Sequence, residues 1–312
     1  MQPIFVGDVQ GCADELETLI ARAKARFGDG FSLHVVGDVV NRGPDNRRAL
    51  ALVRSLVDAG RGEMVLGNHE IHLLSTALGL RELEPNDSLG DVLSAPDVGD
   101  WVDWLRQRPL AVAGELAGQP YVMVHASVAP DWSLEDVLQH AREAAAPLAA
   151  SRASARHFLA SAPTPGSPRD DLARLTRCRS IAPGGAWSSA LPEPPARPWH
   201  EPWSERDHGY GIVYGHWALQ GLHVAPGLRG LDTGCVHHGR GRDGFLTAWV
   251  PHVTPDAAPS ALPETTPDAA RGDEGATQGD AEVWGRPRVF DAPIPEECLW
   301  AIPARRCYYD PG

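Results

Sequence analysis

The stretch Gly67-Asn68-His69-Glu70 follows a short apolar run, Met64-Val65-Leu66, and precedes a segment with helical character, Ile71-His72-Leu73-Leu74. This order predicts a turn at the carboxyl end of a strand, which is where open α/β sheets bind their ligands. In the turn, the amide oxygen of Asn68 can bind a metal ion, and the imidazole of His69 can donate or accept a proton. The stretch therefore predicts a candidate site together with a strand-to-helix connection.

Two earlier apolar runs end in a similar way, in a Gly-Asp pair. Ile4-Phe5-Val6 is followed by Gly7-Asp8, and Leu33-His34-Val35-Val36 is followed by Gly37-Asp38. Each pair precedes a segment whose apolar residues have helical spacing, so the order strand, helix, strand, helix, strand is predicted. Such units have right-handed crossovers, and their sheet is at least partly parallel. The fold class expected is therefore α/β.

The later part of the chain has further helix and strand patterns. Residues 75–110 have helical character, a helix is predicted from about 133 to 145, and no secondary structure is predicted for residues 146–207. The predicted strands are 121–124, which ends at His125, 212–214, which ends at Gly215-His216, and two closing strands over 230–235 and 245–250.

Composition limits the classes of function. Apolar residues make up 43% of the 312 residues, so a sizeable core can be buried. Lys and Arg number 28 against 41 Asp and Glu, a formal charge of −13, which argues against binding to nucleic acid through a basic surface and against sequence-specific DNA binding. No membrane segment and no N-terminal signal pattern are apparent. Five scattered cysteines support neither a disulfide framework nor a zinc ribbon, so a reduced, cytoplasmic protein is expected.

Polar residues at five predicted strand ends form one candidate site. The first three are thirty residues apart, which matches one strand-helix unit each, and all five are expected at one edge of a sheet. Each residue alone has a simpler interpretation as a turn or a core residue, but the even spacing favours a site. Mixed oxygen and nitrogen ligands suit Mn²⁺, Fe or Zn²⁺ better than Ca²⁺. The five residues are Asp8, Asp38, Asn68, His125 and His216.

Asp38 is the carboxylate best suited to bridge two ions. Two ions about 3.5–4 Å apart would clamp an attacking hydroxide and polarise a phosphoryl oxygen. Such a pair of ions is suited to phosphoryl hydrolysis.

The three strand ends also resemble a known family. Gly7-Asp8-Val9-Gln10-Gly11, the run from Gly37 to Gly43 and Gly67-Asn68-His69-Glu70 resemble the three signature blocks of the PPP-type calcineurin-like metallophosphoesterases. Further motifs resemble the bacterial symmetrical diadenosine tetraphosphate hydrolases. These motifs are Gly11-Cys12, Arg42-Gly43-Pro44, Leu105 to Leu110, Thr176 to Arg179, Tyr214 to Ala218 and Leu231 to Cys235.

The resemblance implies a fold and a domain plan. The fold is a metallophosphoesterase-type central β-sandwich flanked by helices, with an α-helical cap. The catalytic domain would span residues 1–253, with the cap from about 75–110 and 130–205. Residues 254–282, with seven acidic residues and one basic residue, would form an acidic Pro- and Ala-rich linker that buries too little to order itself. Residues 283–312 contain several aromatic side chains and would dock back on the domain.

The resemblance also implies roles for individual residues. Metal one would be held by Asp8, Gln10 and Asp38, and metal two by Asp38, Asn68, His125 and His216. His69 would protonate the leaving group beside Asn41. Phosphates would be held by Arg42, Arg177 and Arg179. The substrate-binding set is completed by Asp232 and by Tyr210 and Trp217, whose rings could stack on adenine or belong to the core.

Two residues depart from the superfamily pattern. Gln10 replaces a histidine and offers a neutral oxygen, which is a poorer ligand for a transition metal. Asn41 stands where protein phosphatases have an Asp, so an imidazolium at His69 is less stabilised. A nucleoside diphosphate needs less help from an acid than a serine alkoxide does, so Asn41 favours a tetraphosphate hydrolase.

The function predicted from the sequence is cleavage of diadenosine tetraphosphate into two ADP. By the same resemblance, the site would also remove nucleoside-tetraphosphate caps from RNA 5′ ends. The expected cofactors are two divalent ions, Mn²⁺ first, with Co²⁺, Mg²⁺, Fe or Zn²⁺ as alternatives. Two other functions stay open: a protein Ser/Thr phosphatase on the same scaffold, and a nucleotide sensor without turnover in which Gln10 weakens metal one.

Overall fold

The computed structural model describes residues 1–251 and 289–308. The acidic linker predicted over residues 254–282 lies outside these ranges, and the domain boundaries proposed at 253 and 282 remain predictions.

The first of two large sheets carries the strand ends at Asp8, Asp38 and Asn68. Its three strands from the amino-terminal part of the chain are mutually parallel, as predicted. A fourth strand is antiparallel to both of its neighbours, so the fifth strand at the sheet edge again runs parallel to the first three. In spatial order the sheet consists of β13 (Leu299–Pro303), β12 (Phe245–Trp249), β1 (Gln2–Val6), β2 (Phe31–Val35) and β3 (Gly62–Met64).

The second large sheet carries the two predicted histidines. The predicted closing strand over 230–235 is wrong in its extent, because the strand ends at Gly230. The backbone then turns, with the Gly234 amide donating a 3.0 Å hydrogen bond to Asp232 Oδ1, and a 3₁₀ turn follows over Cys235–His237. In spatial order the sheet consists of β10 (His223–Ala225), β11 (Leu228–Gly230), β9 (Gly211–Tyr214), β5 (Gln119–Val124) and β4 (Ala111–Leu116).

The two sheets face each other across a buried apolar layer, so the predicted β-sandwich is confirmed. In β1, Phe5 packs in this layer, whereas Ile4 and Val6 pack in the larger core on the other face of the sheet. This alternation follows from the two-residue period of a strand, and burial on both faces explains why the run is continuously apolar. Tyr121 and Val213 bring the second sheet into the same layer.

Three helices follow the first three strands. The residues at helical spacing in the first two helices are buried, as predicted, with Leu16 and Leu50 among them. The side chain of Asp45 caps the second helix by accepting the Arg48 amide. These helices are α1 (Ala13–Phe27), α2 (Asn46–Asp58) and α3 (Asn68–Ala77).

Six further helices and a small sheet form the predicted α-helical cap. The helix predicted from about 133 is present and extends to Ala150, and residues 146–207, for which no structure was predicted, add three more helices. The cap helices are α4 (Gly90–Leu93), α5 (Val98–Leu105), α6 (Leu134–Ala150), α7 (Arg152–Ala160), α8 (Pro168–Arg177) and α9 (His200–Ser204). The small sheet consists of β7 (Trp187–Ser188), β6 (Ser180–Ile181) and β8 (Arg197–Pro198). Within the described ranges, we find no helix with the length and apolar character needed to cross a membrane.

The C-terminal strand β13 completes the first sheet. Trp300 is fully buried, its ring centroid lies 6.2 Å from that of Phe27, and the guanidinium carbon of Arg22 lies 4.4 Å from the Trp300 ring centroid. A tryptophan from the end of the chain thus packs on α1.

We expect Trp300→Ala to lower the free energy of unfolding by about 3–5 kcal/mol, because a large buried ring is removed from a packed layer. The measurement is urea denaturation followed by circular dichroism. Ala301→Ser, at an exposed position of the same strand, is the matched control and should unfold like the wild type. Equal stabilities of all three proteins would show that β13 does not stabilise the fold.

Candidate metal and phosphate site

The five predicted strand-end residues meet, but they come from both sheets and not from one sheet edge as expected. Asp8, Asp38 and Asn68 follow β1, β2 and β3, whereas His125 and His216 follow β5 and β9. The His216 amide donates to Asp8 Oδ1 over 3.1 Å, and His125 Nε2 lies 3.1 Å from Asn68 Oδ1. The site therefore lies at one end of the sandwich, where the two sheets meet.

Two glycines allow the strand ends to approach so closely. A Cβ atom on Gly67 would lie 2.2 Å from Asp38 Oδ1, and one on Gly215 would lie 2.0 Å from Asp8 Oδ1. Neither position can accept a side chain without displacing a carboxylate. The geometry of the site therefore requires the glycines that precede Asn68 and His216 in the sequence.

The backbone is strained at the site. Among the described residues, six that are not glycine have positive φ, and five of these are predicted site residues. Backbone strain of this kind persists only where surrounding contacts hold it, and it is concentrated at functional sites. The five residues are Gln10, Asp38, Asn41, Arg42 and His216.

Hydrogen bonds hold the rings of His125 and His216 in orientations in which each ring could bind a metal ion. His125 Nδ1 lies 2.8 Å from the carbonyl oxygen of Val36, so it donates there, and Nε2 faces Asn68 and Asp38, whose carboxylate raises the pKa of His125 against the effect of burial. His216 Nε2 lies 3.1 Å from the carbonyl oxygen of Arg177, which leaves Nδ1 as the available nitrogen. Burial lowers the pKa of His216 well below its usual value, and a neutral imidazole is the form that binds metals.

The buried carboxylates of the site repel one another, which favours the binding of a cation between them. Burial raises the pKa of Asp8 well above its usual value, and the charges of Asp232 and Asp38 raise it further. Burial raises the pKa of Asp232 to about 6, and Asp38 adds to the shift. Donor atoms of Asp38, His125 and His216 lie within 4.8 Å of one another. These oxygen and nitrogen donors fit a divalent cation, which would relieve the repulsion.

Asp232 lines the larger of two clefts that adjoin the site, and its assignment to substrate binding stays a prediction. Its carboxylate is buried, and its charge raises the pKa of Asp8. A negative charge there attracts a cation and repels a phosphate. The carboxylate of Asp232 therefore also adds negative charge to the candidate metal site.

Glu70 orders the loops around Asp38, a role that the sequence analysis did not assign. Its fully buried carboxylate accepts backbone hydrogen bonds of 2.8 Å from Asp38, 2.7 Å from Val39, 3.2 Å from Val40 and 2.9 Å from Gly67. The only sequence signal was an acidic residue in the first turn of a helix, where carboxylates are favoured. Glu70 thus joins the second and third strand ends.

We expect Glu70→Gln to destabilise the protein by about 1–3 kcal/mol, because the amide group of Gln would face backbone donors and leave at least one of them unpaired. The melting temperature measured by calorimetry should fall accordingly. Glu82→Gln, at an exposed position, is the matched control. An unchanged melting temperature for Glu70→Gln would exclude this joining role.

His69 is connected to a carboxylate through Asn41. Asn41 Oδ1 accepts the amides of Arg42 and Ser88, so its amide nitrogen must face His69 Nδ1 at 3.0 Å and Asp87 Oδ1 at 2.8 Å. His69 Nδ1 is then an acceptor, and the ring proton lies on Nε2. Burial lowers the pKa of His69 to about 4. His69 therefore offers a neutral N–H group rather than an imidazolium.

Two clefts adjoin the site, and Arg42, Asn68 and His69 line both of them. The larger cleft has a volume of about 600 Å³, and the smaller one about 170 Å³. Predicted residues lining the larger cleft include Gln10, Arg179 and Trp217, whereas Arg177 lines the smaller one. Basic residues that the sequence analysis missed are Arg240 and Arg242 in the larger cleft and Arg81 in the smaller one.

Tyr210 does not belong to the site. It precedes β9, whereas His216 follows the other end of that strand. Its ring is buried against Trp203, and its hydroxyl donates a 2.9 Å hydrogen bond to the carbonyl oxygen of Trp132. The prediction that it stacks on adenine is wrong, because the ring is a core residue.

Comparison with known proteins gives one matching family model and many relatives. The model of the calcineurin-like phosphoesterases matches residues 1–229. A protein of Ralstonia nicotianae named "Bis(5'-nucleosyl)-tetraphosphatase, symmetrical" is 38% identical over 76% of this chain and 87% of its own length. A protein of the same name from Shewanella sp. (strain ANA-3) is 38% identical over 80% of this chain and 94% of its own length.

Solved structures with the same fold include the following example. It is a crystal structure of a protein provisionally named a diadenosine tetraphosphatase, with a TM-score of 0.53 and 24% sequence identity. The match covers 80% of this chain and 88% of that chain. At this identity the likeness supports the architecture alone.

Proposed function

Because the chain belongs to the calcineurin-like phosphoesterase family, we propose that it hydrolyses dinucleoside tetraphosphates symmetrically, giving two ADP from diadenosine tetraphosphate. The observation that carries the proposal is a buried set of carboxylate, amide and imidazole donors between two clefts lined by arginines. The names of the relatives support the choice of substrate.

The metal ligands are those of the sequence analysis. Asp8, Gln10 and Asp38 would hold one divalent ion, and Asp38 with Asn68, His125 and His216 would hold the other. Two such ions supply a nucleophile at neutral pH and stabilise the charge that develops on phosphate oxygens. Mn²⁺ is our first choice, because Gln10 offers an amide oxygen in place of an imidazole nitrogen.

The side chains around the donors orient the substrate. Arg42 lines both clefts, Arg177 lines the smaller one and Arg179 lines the larger one. Their guanidinium groups would bind phosphates on either side of the metal site. The two clefts would each receive one half of the substrate, with Trp217 beside one base. His69 Nε2–H would donate to the leaving oxygen, and Asn41 would keep the ring in that tautomer.

The proposal also covers a second substrate, capped RNA, and the location of the protein in the cell. The same cleavage would release a nucleoside-tetraphosphate cap from an RNA 5′ end, because the scissile tetraphosphate chain is the same chemical group. We also propose a cytoplasmic location, which the buried free thiols of Cys12, Cys178 and Cys235 support.

Product analysis with diadenosine tetraphosphate and Mn²⁺ tests the proposal. We expect ADP as the only nucleotide product, and loss of turnover after chelation of the metal with recovery when Mn²⁺ is returned. AMP and ATP together would show attack at a different phosphorus. Faster hydrolysis of a phosphopeptide would favour the protein phosphatase, and intact bound nucleotide with one ion or none would favour the sensor.

A further inference from the structure

A second cluster of possible metal ligands lies outside the strand-end site. It consists of Cys12, Glu15 and Cys235, which are all buried, and their donor atoms lie within 4.8 Å of one another. The proposed catalytic site uses none of the three. A carboxylate that is fully buried between two thiols is unusual, since buried charges are normally paired or bind metals.

The two oxygens of Glu15 have different surroundings. Oε1 accepts a 2.7 Å hydrogen bond from the Arg305 amide and another from the Tyr308 hydroxyl. Oε2 is buried and accepts no hydrogen bond from any described residue. One oxygen is therefore held in place by outer partners while the other remains available, which is the arrangement of a carboxylate ligand and its supporting shell.

The three ligands come from two distant segments. Cys12 directly precedes α1 and Glu15 lies in its first turn, so the two side chains share a face of the helix. Cys235 begins the 3₁₀ turn that follows the Asp232 turn. The Arg305 and Tyr308 groups reach the cluster from the segment after β13. An ion there would cross-link the first strand end, the Asp232 turn and the C-terminal segment.

We propose that Cys12, Glu15 and Cys235 bind one thiophilic divalent ion, with Zn²⁺ as the chemical example. Two sulfur ligands and one carboxylate oxygen form a set that Zn²⁺ accepts. On binding, each thiol releases its proton to solvent and forms a metal–sulfur bond, and Oε2 of Glu15 supplies the third bond. No oxidation or reduction takes place. The ion stabilises the fold beside the first strand end, through ligands that the proposed phosphoryl chemistry does not use.

Co²⁺ is the probe that distinguishes this cluster from the strand-end site. The donors at the strand ends are nitrogen and oxygen, so only the cysteine cluster gives thiolate-to-cobalt charge-transfer absorption in the near ultraviolet. The full chain is first loaded with Mn²⁺ under a non-chelating reductant, and Co²⁺ is then titrated. We expect this absorption to saturate at one ion per chain and to be absent in Cys12→Ser and Cys235→Ser. Cys178→Ser, which removes a buried free thiol elsewhere, is the matched control and should keep it.

Tyr308→Phe provides a milder test, because it changes a supporting hydrogen bond and no ligand. We expect its affinity for Co²⁺ to fall by about 10- to 100-fold. Absence of the absorption in the wild type, or its survival in both ligand variants, would show that the cysteines only pack. If a cysteine variant does not fold, an unchanged Co²⁺ affinity in Tyr308→Phe overturns the proposal, and weaker binding supports it.

Discussion

Asp38→Asn is expected to reduce kcat/KM for diadenosine tetraphosphate by about 1,000-fold or more, because losing several kcal/mol of charge stabilisation at the reacting phosphate has an effect of this size. Asp38 is the carboxylate shared by both proposed ion sites, and it lies within 3.3 Å of His125 Nε2. An asparagine at this position has one oxygen where the aspartate has two, and its NH₂ group cannot bind a metal ion. We therefore also expect fewer than two bound Mn²⁺ ions per chain by atomic emission.

The structure allows a loss of metal to be distinguished from a loss of fold. Asp38 Oδ1 also accepts the His69 amide over 2.8 Å, so Asn must keep its oxygen there and turn its NH₂ group toward His125. Circular dichroism and the melting temperature of the metal-free protein show whether the fold survives. Asp131→Asn, at an exposed position, is the control and should keep full activity. Two tightly bound ions and near-normal turnover in Asp38→Asn would refute the bridging role.

Local sequence was sufficient for the parts of the site that lie at strand ends. Asp8, Asp38 and Asn68 each follow an apolar run and a glycine, so both their type and their position could be predicted. The same reasoning placed His125 and His216 correctly at strand ends but assigned them to the same sheet edge. Which sheet a strand joins depends on pairing with distant strands, and the periodicity of one segment does not contain that information.

The supporting groups could not be predicted from local sequence. Asp87 is 46 residues from Asn41 along the chain, and it contacts Asn41 only because the loop after α3 folds back over the second strand end. Glu70 binds backbone amides, which every residue possesses, so no pattern of side chains reveals its partners. Tyr210 shows the opposite error: an aromatic residue near a motif in sequence lies at the wrong end of its strand.

Asn41 changes what can be expected of His69. The sequence indicated that an imidazolium at His69 would lack its carboxylate, and the structure places Asp87 one hydrogen bond further away, with Asn41 between them. Asp87 also lies 2.6 Å from His72 Nε2. This chain of contacts fixes the tautomer of His69 through a neutral amide on Nδ1, while the carboxylate of Asp38 lies 3.7 Å from the other ring nitrogen, Nε2. Such an arrangement suits a leaving group that is already a stable anion.

His69→Ala should retain both metal ions and lose about 10²- to 10³-fold in kcat, which is the usual cost of removing one positioned hydrogen-bond donor to a developing negative charge. His69 is not among the proposed ligands, and its backbone amide, which binds Asp38, is kept in the variant. Metal content by atomic emission and single-turnover rates are the two measurements. His140→Ala removes a histidine that pairs with Asp171 on the cap and serves as the control. Near-normal turnover in His69→Ala would refute its contact with the leaving group.

Comparing substrates with different leaving groups tests the contact between His69 and the leaving oxygen more directly. If His69 donates to the departing oxygen, His69→Ala should cost much less with a nucleotide p-nitrophenyl ester than with diadenosine tetraphosphate, because p-nitrophenolate needs little stabilisation. His69→Gln, which can present an N–H group, should recover part of the rate with the tetraphosphate. Equal losses with both substrates would mean that His69 orders the site instead. In that case the arginines and the ions would carry the stabilisation of the leaving diphosphate.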